Sequence, residues 1–282
     1  MPEPPDAAKE PKKDGEDAPA AADGPHLEVR SLQKNFGETK VLTDVNMKVG
    51  RGHIAVIIGG SGAGKTTLLR ILIGLERPSS GSVLVSGQDI ASLTDRELNK
   101  MRRKFGMVFQ YSALLDSMNV MDNVAFPMRE HTKLSEKEIK ALVTEKLNSL
   151  GLDDVEGRFP SQLSGGMRKR VALARALMLE PEIIMYDEPT SGLDPVTSRM
   201  VDDMIVETRK KFGVTSVIIS HDMVGALQIA DEIYLLSKGT IVASGSPEEL
   251  IHGDNELLRK FLQSSGVTAM PGAAEKLAKG SD

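Results

Sequence analysis

The sequence contains no cysteine and no tryptophan, and aromatic residues make up only 4% of its 282 residues. The absence of cysteine excludes disulfide bonds and thiolate metal sites. Apolar runs are short; one of the longest covers Ile54 to Ile58, whereas a helix that crosses a bilayer needs roughly 20 apolar residues. The first residues lack the basic and apolar segments of a secretory signal. We therefore expect a cytoplasmic chain whose membrane role, if it has one, depends on a partner.

The excess of negative charge is concentrated at one end of the chain. The formal net charge is −5. Residues 1–25 contain seven acidic residues and three lysines, so they contribute −4 and all other residues together −1. Nucleic-acid binding usually requires a basic face that neutralises phosphates. The near-neutral remainder therefore predicts no nucleic-acid partner.

Composition divides the chain into three parts. Residues 1–25 hold six of the fourteen prolines and no aromatic or β-branched residue, which predicts a disordered, acidic, Pro/Ala-rich tail. Residues 266–282 are rich in Gly, Ala and Lys, which predicts a second flexible tail. No motif occurs twice, so residues 26–265 are predicted to form one nucleotide-binding domain.

Between the tails, apolar runs alternate with amphipathic stretches, a pattern typical of an α/β fold around a mainly parallel sheet. Runs of this kind are the candidates for buried strands. They are Ile54–Ile58, Phe105–Phe109, Ile183–Tyr186, Val214–Ile219 and Glu232–Leu236.

Several helix starts are marked by a hydroxyl residue followed three positions later by glutamate, the pattern of a capping box. The pairs are Thr94 with Glu97, Ser135 with Glu138, and Ser246 with Glu249. The helix that starts at Ser135 has a helical repeat of apolar residues that ends at Gly151, which predicts a one-sided helix of a small helical subdomain. The repeat consists of Ile139, Leu142, Val143, Leu147 and Leu150.

A glycine-rich segment, GGSGAGKT, lies between an apolar run and a stretch with helical spacing. This strand–loop–helix context is the one that a phosphate-binding loop requires, because glycines let successive amides point at phosphates and the helix adds its positive end. The candidate phosphate contacts are Gly59, Gly60, Ser61, Gly62, Ala63 and Gly64. Lys65 would reach the β and γ phosphates, the Thr66 hydroxyl would bind Mg²⁺, and Thr67 would contact the α-phosphate. The alternative, a glycine-rich turn with a chance lysine, does not explain the full spacing and both flanks.

A second apolar run, IIMYDE, ends in two neighbouring carboxylates. Because successive side chains of a strand point in different directions, one acid can serve a metal and the other a water molecule. Asp187 is the candidate that organises Mg²⁺, and Glu188 is the candidate that orients and polarises the attacking water. Taken alone, the pattern also fits an ordinary strand end.

The segment LSGGM at 163–167, together with the loop, DEPTSGLD and a later histidine in the same order, resembles the ABC ATPase superfamily over about residues 27–250. The resemblance implies a P-loop NTPase core of ABC type, with a mainly parallel sheet, an antiparallel β subdomain and a helical subdomain at about 111–178. It also implies ATP and Mg²⁺ as ligands and a homodimer of ATPase subunits.

In that family, the residues that match Ser164, Gly165 and Gly166 contact the γ-phosphate held by the opposite subunit, and the loop that contains Asp194 crosses the dimer interface. The resemblance therefore implies that each ATP lies between two chains. Taken alone, the LSGG segment could instead be a helix-capping turn.

Three further residues receive roles from the resemblance alone. Gln110 matches the glutamine that touches Mg²⁺ or water, His221 matches a histidine that contacts the γ-phosphate, and Phe36 matches the aromatic residue that stacks on adenine. Each also has an ordinary alternative, as a surface amide, a strand-end histidine and a core aromatic residue.

A more specific resemblance is to the ATPase subunit of Mce-associated phospholipid transporters. It rests on Met167, Gly60 and residues 119–132 (NVMDNVAFPMREHT). This implies an integral membrane permease, an Mce-domain lipid-binding protein and a peripheral position on the cytoplasmic face of a bacterial inner membrane. Alternatively, these residues only pack the helical subdomain, and the chain serves a small-substrate importer, for amino acids for example. A non-transport ABC ATPase that acts on DNA or ribosomes is disfavoured, because no heptad insert lies between Lys65 and Ser164 and only one domain is present.

Overall fold

The structure is a computed structural model that describes residues 24–252. The predictions for residues 1–23 of the N-terminal tail, for the end of the predicted domain at 253–265 and for the tail at 266–282 lie outside the described residues. Within residues 24–252, no helix combines the length and the apolar character needed to cross a bilayer.

The described chain forms ten strands in one sheet and eight α-helices. The strands are β1 (Leu27–Phe36), β2 (Thr39–Val49), β3 (Ile54–Ile58), β4 (Ser80–Val85), β5 (Gln88–Asp89), β6 (Phe105–Val108), β7 (Ile183–Asp187), β8 (Thr215–Ser220), β9 (Glu232–Ser237) and β10 (Thr240–Gly245). The helices are α1 (Lys65–Leu72), α2 (Asp95–Arg102), α3 (Val120–His131), α4 (Glu136–Ser149), α5 (Gly165–Leu177), α6 (Pro195–Phe212), α7 (Met223–Ile229) and α8 (Pro247–His252).

The strand order is β5-β4-β1-β2-β10-β9-β3-β8-β7-β6. The five strands from β9 to β6 are parallel. Strands β3 and β8, which lie inside this parallel group, are buried along their whole length, as expected for strands covered on both faces. Strands β5, β4, β1 and β2 pair antiparallel and form the other half. The mainly parallel core and the antiparallel layer agree with the expected fold class.

Three apolar clusters hold these layers together. One lies between the antiparallel strands and the parallel core and includes α1 and α2. A second covers the opposite face of the parallel strands with α6 and α7. The third joins α3, α4 and α5 and forms the helical part of the chain.

The predicted helix starts are present, and two predicted features need correction. All three capping boxes are formed. The predicted strand that starts at Phe105 ends at Val108, so Phe109 lies outside it and is exposed. Leu142 keeps the apolar period of α4 but is 38% exposed, because it faces a surface cleft rather than the core of the helical part.

Candidate functional site

Four neighbouring parallel strands deliver the predicted site residues to one edge of the sheet. The loop after β3 leads into Lys65, and Gln110 lies two residues beyond β6. Glu188 follows the last residue of β7, and His221 follows the last residue of β8. Ligands of open α/β sheets bind outside the carboxyl ends of the strands, so this edge is the candidate site.

The loop between β3 and α1 has the backbone that a phosphate cradle needs. Gly62 and Gly64 have φ angles of +75° and +105°, a region that side chains other than glycine rarely adopt. A Cβ atom on Gly59 would lie 2.4 Å from the backbone oxygen of Leu236. Gly60 and Gly62 have nothing within 4 Å of their Cβ positions, so the outer side of the loop is open. Because the first amides of α1 have no intrahelical acceptor, the loop fits an anionic phosphate chain.

Lys65 begins α1, and its side chain folds back over the loop. The ammonium group donates to the carbonyl oxygens of Gly59 at 2.8 Å and Gly60 at 3.2 Å. It lies 3.6 Å from the carboxylate of Glu188, and the lysine side chain is 11% exposed. The structure therefore brings the loop cation and the candidate base together.

Glu188 is held in an unusual conformation between two partners. Its φ angle is +47°, which is strained for a residue with a side chain. The Glu188 amide donates to the carbonyl oxygen of Ile219 at 2.8 Å, which ties the residue to β8. One carboxylate oxygen lies 2.6 Å from Nδ1 of His221, and the side chain is 19% exposed. This arrangement fixes a carboxylate where it can accept a proton.

Asp187 lies beside Glu188 and has a different electrostatic environment. Burial raises the pKa of the Asp187 carboxyl, and the negative charge of Glu188 raises it further, whereas Lys65 and Arg70 act in the opposite direction. An anionic Asp187 would therefore gain from a nearby cation.

The oxygen donors on this edge suit Mg²⁺ rather than a softer metal. The predicted donors are the Thr66 hydroxyl, the Asp187 carboxylate and the Gln110 amide, all hard oxygen ligands. Among residues 24–252, no cluster of three or more His, Cys, Asp and Glu side chains could hold a metal by itself. A small set of protein donors is usual for Mg²⁺ in nucleotide sites, because the ion keeps several waters and also binds the substrate phosphates.

Gln110 and the residues after it are attached to α5 as well as to the site. The Gln110 amide nitrogen donates to Ser191 Oγ at 3.0 Å, just beyond Glu188 in the chain. Its backbone oxygen accepts from Lys169 Nζ at 2.5 Å, and Arg175 donates to the carbonyl oxygens of Ser112 and Ala113 at 2.9 and 2.7 Å. Burial lowers the pKa of both cationic groups. Sequence reasoning missed Lys169 and Arg175, since no local pattern indicates a contact with a loop some 60 residues away.

The LSGG segment forms the start of α5. Ser164 is the N-cap residue, and its Oγ accepts from the amide of Met167 at 3.2 Å. Gly165 and Gly166 begin the helix, and nothing lies within 4 Å of the Cβ position of Gly166. Within the described chain, no hydrogen bond or ion pair joins these three residues to Lys65.

The other two predicted residues, Asp194 and Phe36, lie at the N-cap of α6 and at the end of β1. Asp194 caps α6, because its carboxylate accepts from the amides of Val196 and Thr197 at 3.0 and 3.1 Å. Phe36 ends β1 with 49% of its surface exposed, so it is not a core aromatic residue. Its ring lies 4.6 Å from the ammonium group of Lys34, another residue that sequence reasoning did not select.

Comparison with known proteins shows the family to which the chain belongs. A family model described as ABC transporter matches residues 42–191. The probable ribonucleotide transport ATP-binding protein mkl of Mycobacterium leprae is 42% identical over 253 residues, which cover 90% of this chain and 73% of the relative. The intermembrane phospholipid transport system ATP-binding protein MlaF of Escherichia coli K12 is 41% identical over 245 residues, which cover 87% of this chain and 91% of the relative.

A methionine import ATP-binding protein, MetN 1 of Rhodococcus jostii, is 44% identical over 229 residues, which cover 80% of this chain and 68% of the relative. Among solved structures, the dimeric post-hydrolysis state of the ATP-binding cassette MJ0796, bound to ADP and Pi, superimposes with a TM-score of 0.69 at 31% identity. That match covers 78% of this chain and 98% of the cassette. The chain therefore belongs to the ABC transporter family, as one of its ATP-binding, ATP-hydrolysing subunits.

Proposed function

We propose that two copies of this chain bind Mg-ATP between them and use its hydrolysis to drive a membrane permease that moves phospholipid. The observation that carries the catalytic part is the position of the Glu188 carboxylate between Lys65 and His221, at the carboxyl ends of adjacent strands. A base, a cation and a histidine are thereby collected beside a loop that fits phosphates.

Each residue of this group has a distinct task in the proposal. The amides of the loop and the Lys65 ammonium hold the phosphate charge of ATP. Glu188 accepts a proton from the attacking water, and His221 holds the carboxylate and contacts the γ-phosphate. Thr66, Asp187 and Gln110 would hold Mg²⁺, which when bound neutralises charge on the phosphate oxygens.

The proposal of two copies rests on the family pattern and is consistent with the contacts that Ser164 makes in this chain. This residue and the glycines after it begin α5 and make no polar contact with Lys65 of the same chain within residues 24–252. The family pattern implies that these residues contact the γ-phosphate held by the opposite subunit, so the proposal includes a second copy. The related MJ0796 cassette is described as dimeric with ADP and Pi, which supports this arrangement.

The lipid cargo is supported by the relatives and by the motif at residues 119–132. The MlaF relative is named for intermembrane phospholipid transport and matches almost its whole length. We therefore propose an integral membrane permease and an Mce-domain lipid-binding protein as partners, with the chain on the cytoplasmic face of a bacterial inner membrane.

The predicted division at 1–25, 26–265 and 266–282, with a helical subdomain at about 111–178, forms part of this proposal.

Import of a small substrate is the second candidate, favoured by the 44% identity to a methionine import subunit. Co-purification with the native permease, followed by mass spectrometry of the bound small molecules, separates the two. Phospholipid that leaves the complex only after ATP addition supports the first proposal, whereas an amino acid bound in place of lipid supports the second.

The catalytic part is tested by Lys65→Ala in the purified complex. We expect the fold to persist and ATP turnover to be lost, because the loop amides alone cannot balance the phosphate charge. Turnover near the wild-type rate would refute the assignment of the loop.

A further inference from the structure

The antiparallel layer contains a lysine where an apolar residue would be expected. Near the end of β1, Leu32 and Lys34 are buried, whereas Gln33 and Asn35 are exposed. Leu32 is fully buried and the side chain of Lys34 is only 11% exposed. Burying an ammonium group is costly unless it is paired, so this lysine needs a structural explanation.

Lys34 is paired with the segment that follows α1. Its ammonium group donates to the Glu76 carboxylate at 2.6 Å and to the carbonyl oxygen of Arg77 at 2.8 Å. The hydrogen bond from Lys34 to the Glu76 carboxylate also holds the pKa of the Glu76 carboxyl below its usual range. Glu76 is itself fixed at the end of α1, since its amide donates to the carbonyl oxygen of Arg70 at 3.1 Å. The helix that starts at the phosphate loop is thus linked at its far end to β1.

The same ammonium group faces an aromatic ring. Lys34 Nζ lies 4.6 Å from the centroid of the Phe36 ring, within the range of a cation–π contact. Phe36 is nevertheless 49% exposed, so much of its surface is free to meet another planar group.

The hairpin that carries Phe36 also touches the phosphate loop. A Cβ atom on Gly64 would lie 2.7 Å from Cδ2 of Leu42 and 3.1 Å from the backbone oxygen of Val41. The start of β2 therefore packs directly on the last residue of the loop. Two contacts, one on each end of α1, fix the position of the β1–β2 hairpin relative to the phosphate loop.

We infer that Lys34 is a positioning residue for the nucleotide base. Through its contacts with Glu76 and with the Phe36 ring, it fixes the position of that ring, the proposed platform for adenine, relative to the phosphate loop. This inference rests on the proposed function, in which Phe36 stacks on adenine. The cation also draws electron density from the ring, and an electron-poor ring stacks more favourably on an electron-rich purine. Lys34 thereby acts on the base without touching it.

The absence of tryptophan from the chain makes a direct test possible. Phe36→Trp introduces a single tryptophan at the proposed platform, and its fluorescence reports stacking. We expect ATP to change the emission and inorganic triphosphate to leave it unchanged, because triphosphate lacks a base. An unchanged emission with ATP, in a protein that still hydrolyses ATP, would overturn the inference and leave the proposed ATPase function intact.

The role of the lysine is then measured in the Phe36→Trp background. Lys34→Met should raise the Kd for ATP roughly two- to five-fold, because the Phe36 position loses the cation that holds the ring in place for stacking. Lys34→Arg should restore most of the affinity, because a guanidinium also stacks on an aromatic face. The matched control is Lys40→Met, which removes an exposed lysine of the same hairpin and should leave the Kd unchanged.

Turnover separates positioning from damage to the fold. With Phe36 restored, Lys34→Met should raise KM for ATP by the same factor and leave kcat at saturating ATP unchanged. Glu76→Gln, which keeps the cation but weakens its anchor, should show a smaller rise in KM. An equal loss of affinity in Lys40→Met, or a fall in kcat with KM unchanged, would overturn the inference.

Discussion

Glu188→Gln separates nucleotide binding from hydrolysis. The amide keeps nearly the shape of the carboxylate, and its oxygen can still accept from His221 in place of the 2.6 Å contact seen in the structure. An amide has no basic oxygen that can take a proton from water. The substitution also removes the negative charge that lies 3.6 Å from Lys65, so this carboxylate no longer competes with phosphate for the ammonium group.

The expected loss of rate follows from the isolation of the carboxylate. The Glu188 side chain is 19% exposed and fixed by a strained backbone, and its neighbour Asp187 is not in contact with His221 through any hydrogen bond of the described chain. Among residues 24–252, no other carboxylate is paired with Lys65 or His221. Loss of a general base slows chemistry by roughly 10² to 10⁴, which corresponds to about 3 to 5 kcal/mol of barrier.

The assay compares turnover and retained nucleotide in the complex with the permease. Glu188→Gln should show the slow rate while keeping ATP, because Lys65 and Thr66 remain. Asp187→Asn is the paired control: it should retain less ATP, since the proposed magnesium donor is weakened. Rapid hydrolysis by Glu188→Gln, or its failure to bind ATP, would show that the catalytic role belongs to another carboxylate.

Three further predictions concern stability. Burial raises the pKa of Asp202 to about 6, so the charge of this carboxylate destabilises the fold above that pH. Asp202→Asn should therefore raise the free energy of unfolding at pH 7 by about 1 to 3 kcal/mol. This gain should fade as the pH falls toward 4. Asp203→Asn, on the exposed side of the same helix, should give no such gain. Burial lowers the pKa of His26, so stability should fall as the pH drops below about 6.5, by at most about 1.4 kcal/mol per pH unit, and His26→Gln should remove this dependence. Gly59→Ala should destabilise by roughly 1 to 3 kcal/mol through the backbone contact described above, whereas Gly60→Ala should be close to neutral in thermal unfolding.

Each of these has an outcome that contradicts it. A gain for Asp202→Asn that is the same at pH 4 and pH 8 would mean that the carboxyl charge is not the cause. An unchanged acid dependence in His26→Gln would assign it to other groups. Equal melting temperatures for Gly59→Ala and the wild type would mean that the loop can move away from β9 at no cost.

The central strands could be predicted because their residues are apolar on both faces. Ile54–Ile58 and the four other candidates needed no knowledge of pairing, since a buried parallel strand is recognisable from its own sequence. The antiparallel layer was expected only from the family resemblance. In β1, Glu28 and Lys34 are buried polar residues, and the pairing with β2 has register shifts after Val29 and Leu32. Both features break the alternation by which such a strand would be found.

The site could be predicted residue by residue, but not as a geometry. A recognisable strand precedes each of the residues Lys65, Glu188 and His221. Their contact depends on β3, β8 and β7 being neighbours, and no single segment of the sequence indicates the order of the strands. The two cationic residues that bind the segment after Gln110, Lys169 and Arg175, could not be predicted for the same reason. The assignments of these residues to catalysis and metal binding stay predictions.

The central claim, that each ATP lies between two copies of the chain, is tested by mixing two defective variants. Lys65→Ala and Ser164→Arg are each placed in the Glu188→Gln background, so that bound ATP is retained rather than hydrolysed. Native mass spectrometry then counts the nucleotides in each dimer. A shared site predicts almost no ATP in either variant alone and one ATP in the mixed dimer, where the intact loop of one chain meets the intact Ser164 of the other. A mixed dimer without ATP, beside a Glu188→Gln parent that retains two, would show that Ser164 serves the loop of its own chain and would contradict the account.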